Sequence, residues 1–175
     1  MRTLKIVAAI ILATFLGACH KIIQLSSIPY ISFTSFTVFD TTDILGNDCK
    51  GGRLKFYFQD GDGDLGLDTT VSSGSDTSDL FLTLYRKTNG VMEQVSDNDL
   101  MKPSPYRIPY MENTGQDKSL KGTIQVTFYY EFYNIADSSI FKYSFYVKDR
   151  AEHVSDTAWT CEIPLSVNNI YTSLK

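Results

Sequence analysis

Histidine is almost missing from this 175-residue chain, which holds only His20 and His153. That scarcity excludes most imidazole chemistry, because a Ser-His-Asp arrangement needs its base within reach of the nucleophile. Serines are plentiful, but none lies in a Gly-x-Ser-x-Gly elbow. Cysteine occurs three times, never as Cys-x-x-Cys, and neither Cys49 nor Cys161 has a histidine nearby. A zinc-type cysteine set is therefore excluded. No apolar run reaches the roughly 20 residues that a permanent membrane-spanning helix requires. Positive charge is also in short supply. Sixteen Lys and Arg face twenty Asp and Glu, for a net charge of −4, which argues against nucleic acid and against polybasic docking on anionic lipid.

What is abundant is phenylalanine and tyrosine, eleven of each, among many Ser and Thr and few Ala. This favours strands over helices and is too aromatic for a disordered chain. The first residues have a character of their own. Arg2 and Lys5 precede a short apolar run from Ile6 to Leu16, followed by Gly17-Ala18-Cys19. A charged start, a run of this length and small residues at its end describe an export signal. Leu16-Gly17-Ala18-Cys19 resembles the bacterial lipobox. The resemblance implies cleavage before Cys19 and a diacylglyceryl or acyl lipid on its thiol, the side chain nucleophilic enough to accept one. The alternative is an ordinary signal peptide that ends at a chance cysteine.

The expected organisation is a signal peptide over residues 1–18, a tether over 19–30 and one domain over 31–175. Removing Arg2 and Lys5 takes the formal charge from −4 to −6. In an oxidising compartment, Cys49 and Cys161 either form one disulfide closing a long loop, worth about 2–4 kcal/mol, or stay as two unpaired buried thiols.

From Ile31 onward, period-two alternation recurs between turn-rich stretches. Ile31–Phe39 is the first expected strand, with Asn47-Asp48 and Gly51-Gly52 making the turn. Arg53–Phe58 follows, with Leu54, Phe56 and Phe58 on one face. Leu80–Lys87 and Val91–Val95 read as a hairpin across Thr88-Asn89-Gly90, since Asn-Gly suits a tight reversal. Tyr106–Met111 is a short edge strand interrupted by Pro109. Gly122–Tyr133 sets Ile124, Val126, Phe128, Tyr130 and Phe132 on one face. Phe141–Lys148 sets Phe141, Tyr143, Phe145 and Val147 inward, and Trp159–Val167 closes the domain. Seven or eight strands with no amphipathic helix between them predict an all-β fold, a single antiparallel sandwich of immunoglobulin or fibronectin-III type.

Asp60 to Asp79 contains six aspartates and no Lys or Arg, and opens as Asp-Gly-Asp-Gly-Asp-Leu-Gly-Leu-Asp. Carboxylates at alternate positions of a glycine-rich backbone can wrap a hard cation that takes six to eight oxygens. Asp60, Asp62, Asp64 and Asp68 have EF-hand spacing. However, Leu65 sits where the turn glycine belongs, and Val71 occupies the place of the bidentate Glu, so an EF-hand is rejected. In sandwich order, the loop after Phe141–Lys148 lies at the same end of the domain, which brings Asp149 towards Asp60–Asp64. Three readings stay open here: a calcium ion held by Asp60, Asp62, Asp64, Asp68 and Asp149; Arg150 standing in for the metal; or a plain acidic turn.

Phe58-Gln59-Asp60-Gly61-Asp62-Gly63-Asp64-Leu65-Gly66, together with Phe145-Tyr146-Val147-Lys148-Asp149-Arg150-Ala151-Glu152-His153-Val154-Ser155, resembles a group of Bacteroidetes lipoproteins of unknown function. Those carry an immunoglobulin-like domain with a DGDGDLG loop and a late DRAGN-S motif. The present chain departs from the pattern at Glu152-His153, where the group has Gly-Asn. The resemblance implies the sandwich fold and a cell-envelope location, and it brings no enzymatic activity. In such bacteria, acidic residues just after the lipidated cysteine accompany surface export. His20-Lys21-Ile22-Ile23-Gln24 has none, so the periplasmic face of the outer membrane is expected.

The chain is therefore not expected to be an enzyme. His20 adjoins the anchor, and a lone loop histidine such as His153 is ordinarily just solvated. The expected function is a membrane-anchored binding or scaffolding domain for an envelope protein. An accessory glycan-binding or surface-assembly role is the alternative, and a carboxylate-dependent hydrolase the third. Tyr57, Tyr85, Tyr129, Tyr133 and Tyr146 fall on expected outward faces, with Tyr129 and Tyr133 the binding candidates. Exposed tyrosines stack on sugars or anchor partners, though tyrosine also simply favours strands.

Overall fold

The structure, a computed structural model, describes residues 25–67, 78–113, 118–131, 133 and 139–173. Among them there is no helix. Nine strands follow in order: β1 (Tyr30–Thr42), β2 (Asp48–Asp60), β3 (Leu80–Thr88), β4 (Val91–Gln94), β5 (Leu120–Tyr130), β6 (Ile140–Val147), β7 (Ala158–Trp159), β8 (Ile163–Pro164) and β9 (Asn169–Thr172). One sheet has the order β5-β2-β1-β9. The other runs β4-β3-β6-β7, with β8 also on β6. Every strand pair is antiparallel, and the two sheets form the expected immunoglobulin/fibronectin-III-like sandwich.

Alternation builds the core. Leu54 and Phe56 from β2 and Phe141, Tyr143, Phe145 and Val147 from β6 are completely buried. They meet across the sandwich, with Phe56 5.2 Å from Phe145 and Phe36 5.6 Å from Tyr143 between ring centroids. Each such side chain contributes roughly 1.5–3 kcal/mol by leaving water. Two of the buried rings carry hydroxyls, which must find partners. Tyr130 and Tyr143 satisfy each other at 2.6 Å.

The Asn-Gly hairpin forms as expected. Thr88 pairs with Val91, and Asn89 and Gly90 take φ values of 51° and 84°, the geometry of a two-residue type I′ turn. The first reversal is a correction. It is made by Asp43–Asn47, where Asp43 Oδ1 accepts from the amides of Leu45 and Asn47, both at 2.8 Å. Gly51 and Gly52 instead extend β2. A Cβ on Gly52 would lie 2.6 Å from the Phe36 ring and 2.8 Å from that of Tyr130, so glycine is there to admit aromatics.

Two further corrections come from broken ladders. Tyr106–Met111 is not a strand: only Tyr106 and Pro109 make isolated bridges, to Leu80 and Leu67, because proline offers no amide to continue a ladder. The Trp159–Val167 segment splits into β7 and β8. At Thr160 the side-chain hydroxyl accepts from the Tyr143 amide and displaces a backbone carbonyl from the ladder. The chain then crosses to the opposite sheet, where β9 pairs with β1 from Ser35 to Val38.

Gly52→Ala tests the packing argument. Overfilling a closed aromatic core costs about 1–3 kcal/mol, so its urea midpoint should fall well below that of the unsubstituted protein.

Candidate functional site

The acidic loop is shaped around one buried carboxylate. Asp60 ends β2 with none of its surface exposed, and its Oδ2 accepts from the amides of Asp64 and Leu65, both at 2.9 Å. The loop therefore coils over Asp60, and Leu65 plugs into the core. Its glycines answer to close backbone neighbours. The Gly61 amide donates to Ser26 O at 2.8 Å, and a Cβ there would strike the carbonyls of Leu25 and Ser26. Gly63 and Gly66, at φ +70° and +94°, lie against the carbonyls of Lys118 and Pro109, a conformation and a proximity that only glycine tolerates.

The other half of the site follows β6. The Asp149 amide donates to His153 O at 3.1 Å, while Asp149 Oδ1 accepts from the His153 amide at 2.8 Å and Oδ2 lies 3.0 Å from His153 Nδ1. The tight turn thus forms with Glu152 in the left-handed region, φ 69°. A backbone bond from the Arg150 amide to Asp64 O, 3.3 Å, joins this turn to the acidic loop.

One carboxylate oxygen each from Asp60, Asp62, Asp64 and Asp149 lies within 4.8 Å of the other three. The loops meet at one pole, as expected from sandwich order. Asp68, the fifth expected ligand, lies outside the described residues. Asp60 and Asp149 are buried, and the Oδ1 atoms of Asp60 and Asp64 are buried without a hydrogen-bond partner. Arg150 takes another role than the one expected of a stand-in cation. Its guanidinium donates to Gly66 O at 2.7 Å and lies 4.9 Å over the Tyr110 ring, and its charge offsets only part of the rise in the Asp64 pKa. Burial, above all, pushes Asp60 up to about 6, with Asp62 and Asp64 adding repulsion. Asp64 rises for the same reasons, burial first and then Asp149 and Asp62. The bond to Asp149 raises His153.

Asp79 is an ionisable group that sequence reasoning missed. It is buried just before β3, where Oδ1 accepts from the Ile108 amide at 2.6 Å and Oδ2 has no hydrogen-bond partner. Burial pushes it up to about 6. Its position at the end of an acidic run, directly before an apolar strand, was the available signal.

The remaining candidates fall in separate places. Cys49 is buried on β2 and Cys161 sits between β7 and β8 on the other sheet, and both thiols are free; the expected bridge is not formed. Tyr129 is exposed and lines a groove of about 360 Å³ with Leu100, Met101, Lys102, Tyr106 and Glu131. Tyr133 lines a different hollow, beside Cys49 and Lys50. The expected pair is thus divided. Tyr85 and Tyr146 are half-buried, Tyr85 tilted against Trp159 at 5.1 Å and Tyr146 stacked on Phe81 at 5.0 Å between ring centroids.

Two variants check these assignments. The raised pKa of Asp79 favours its neutral form in the folded state, so its contribution is full below the unfolded value near 4 and lost as pH rises through about 6. Asp79→Asn keeps an acceptor for Ile108, and its denaturation midpoints should remove on the order of 2–3 kcal/mol of stability loss between pH 4 and 7. Glu152→Gly relieves a left-handed non-glycine residue against a gain in unfolded-state entropy, and calorimetry should show a net gain of about 0.5 kcal/mol. Compared with known proteins, the chain matches no family model, no curated protein and no solved structure.

Proposed function

We propose that this chain is a lipid-anchored cell-envelope lipoprotein whose β-sandwich is a binding or scaffolding domain. One observation carries the binding half of this reading: an apolar patch at the pole opposite the acidic loop. Ile44 and Leu45, at the tip of the β1–β2 turn, are 96% and 81% exposed. Tyr129 links them to Leu100, since it lines both the groove beside Leu100 and the hollow beside Ile44. Clustered apolar side chains left in water mark contact surfaces, and Asp43, Lys102 and Glu131 rim this one with charge.

The anchoring half rests on Leu16-Gly17-Ala18-Cys19 and on the strap at Leu25-Ser26. Five residues lie between Cys19 and Leu25, and that stretch of chain reaches roughly 20 Å at most. The acidic pole then faces the bilayer, and the Ile44 tip points away from it, towards an envelope protein. The absence of acids after Cys19 favours the periplasmic face of the outer membrane. A glycan is the second reading, supported by Tyr106 and Tyr129 in one groove with Lys102, Ser104 and Glu131. Aromatic faces with polar groups between them suit a sugar ring.

Mass spectrometry of the native protein should find a chain beginning at acylated Cys19, and Cys19→Ser should leave the leader attached. A bare thiol overturns the anchoring. A photo-crosslinker at Ile44 should capture one discrete envelope component, and Tyr129→Ala should abolish that product. Equal, diffuse labelling from Ile44 and from Val91 on the β4 edge overturns the binding surface, while sugar-array signal that Tyr129→Ala removes selects the glycan.

A further inference from the structure

The geometry points to a calcium site closed between the two sheets by Asp60, Asp62, Asp64 and Asp149. The four carboxylate oxygens lie within 4.8 Å of one another. That limit is the span of two oxygens on opposite sides of an ion at about 2.4 Å, the calcium–oxygen distance. Proximity alone does not make a site, and a second observation comes from Asp60. Its residue is completely buried, Oδ2 is committed to two amides, and Oδ1 has no hydrogen-bond partner. A buried carboxylate oxygen left unpaired is costly, and a cation among the four carboxylates removes that cost.

The ligands are also held in place beforehand. The Asp64 and Leu65 amides fix Asp60, and the His153 amide and ring fix Asp149. Such outer partners orient metal ligands and set their affinity. The donor set is all oxygen. That disfavours zinc and copper, which seek nitrogen and sulfur, and His153 turns its Nδ1 to Asp149 as a support. Magnesium demands a tight octahedron near 2.1 Å and dehydrates reluctantly, whereas calcium accepts a wider, irregular shell completed by water.

The ligands come from both layers. Asp60 is the last residue of β2 in one sheet, and Asp149 lies two residues beyond β6 in the other. The ion is therefore a staple between sheets at the pole where the strap docks, in a fold whose Cys49 and Cys161 are free. This inference does not depend on the lipid anchor or on the distal patch.

The test uses the mature chain after chelation, titrated with calcium chloride. Calorimetry should find one ion per chain. The melting temperature should rise by about 5–10 °C at a hundredfold excess over the dissociation constant, with magnesium giving a much smaller shift. Hydrogen exchange should slow both at Asp60–Leu67 and at Lys148–His153. Asp62→Asn changes a ligand that is exposed, so the variant should fold and bind at least tenfold more weakly; Asp149→Asn should do the same. No heat and no melting shift up to about 10 mM calcium, tenfold above the weakest extracellular modules, overturns the site. An undiminished shift in Asp62→Asn does so too. Equal response to magnesium overturns the choice of ion, and protection confined to Asp60–Leu67 overturns the staple.

Discussion

The fold turns on a carboxylate that has been taken out of water at the end of a strand. Asp60 leaves the core side of β2 with no exposed surface, and everything around it answers to that burial. Two successive amides supply one oxygen, which forces the chain into a coil. The coil is then tight enough that the strap, the Lys118 segment and the Pro109 segment each lie against a glycine. Glycines spaced among aspartates are thus a steric requirement set by three approaching backbones, independent of any ligand. The same burial makes the pole electrostatically demanding, because Asp62, Asp64 and Asp149 converge on the buried Asp60.

The rest of the sandwich is a contrast. Its interior is built from aromatic rings in contact across the layers, and the stack of Phe36, Phe128 and Tyr143 lies within 6 Å centroid to centroid. Rings of this size fill space only where the backbone gives way, which is why β2 carries two glycines where β1 and β5 bring Phe36, Phe39 and Tyr130 against it. Inside this core the hydroxyls of Tyr130 and Tyr143 pair with each other, and the buried hydroxyls of Thr160 and Ser155 accept from the amides of Tyr143 and Val147 on β6.

Much of this was legible in the chain. Strict alternation in Phe141–Val147 and Leu54–Phe58 fixed which side chains face inward, because a strand has only two faces. Sandwich order alone was enough to bring Asp149 to Asp60–Asp64. Other features were hidden, for identifiable reasons. Gly51-Gly52 carries the composition of a turn, and only the rings opposite reveal it as a strand that needs thin residues. β9 is too short to show a period, and its partner lies far away in sequence. The Cys49–Cys161 pairing depended on which sheet each cysteine joined, a tertiary fact that spacing does not hold. Tyr129 and Tyr133 share a strand parity, yet β5 ends at Tyr130, so parity ceases to govern the second of them.

The pairing of β1 with β2 has a mechanical consequence. Its register runs unbroken in direction from Tyr30 opposite Gln59 to Thr42 opposite Asp48, with one bulge between Phe33 and Ser35. Both strands extend from the acidic pole to the opposite tip, and the ladder bonds lie across that axis. Tension between the two poles therefore runs along the already extended backbone of β1, which joins strap to tip directly, with β2 laid against it. A domain wired this way transmits force along its length and resists extension in the direction from strap to tip.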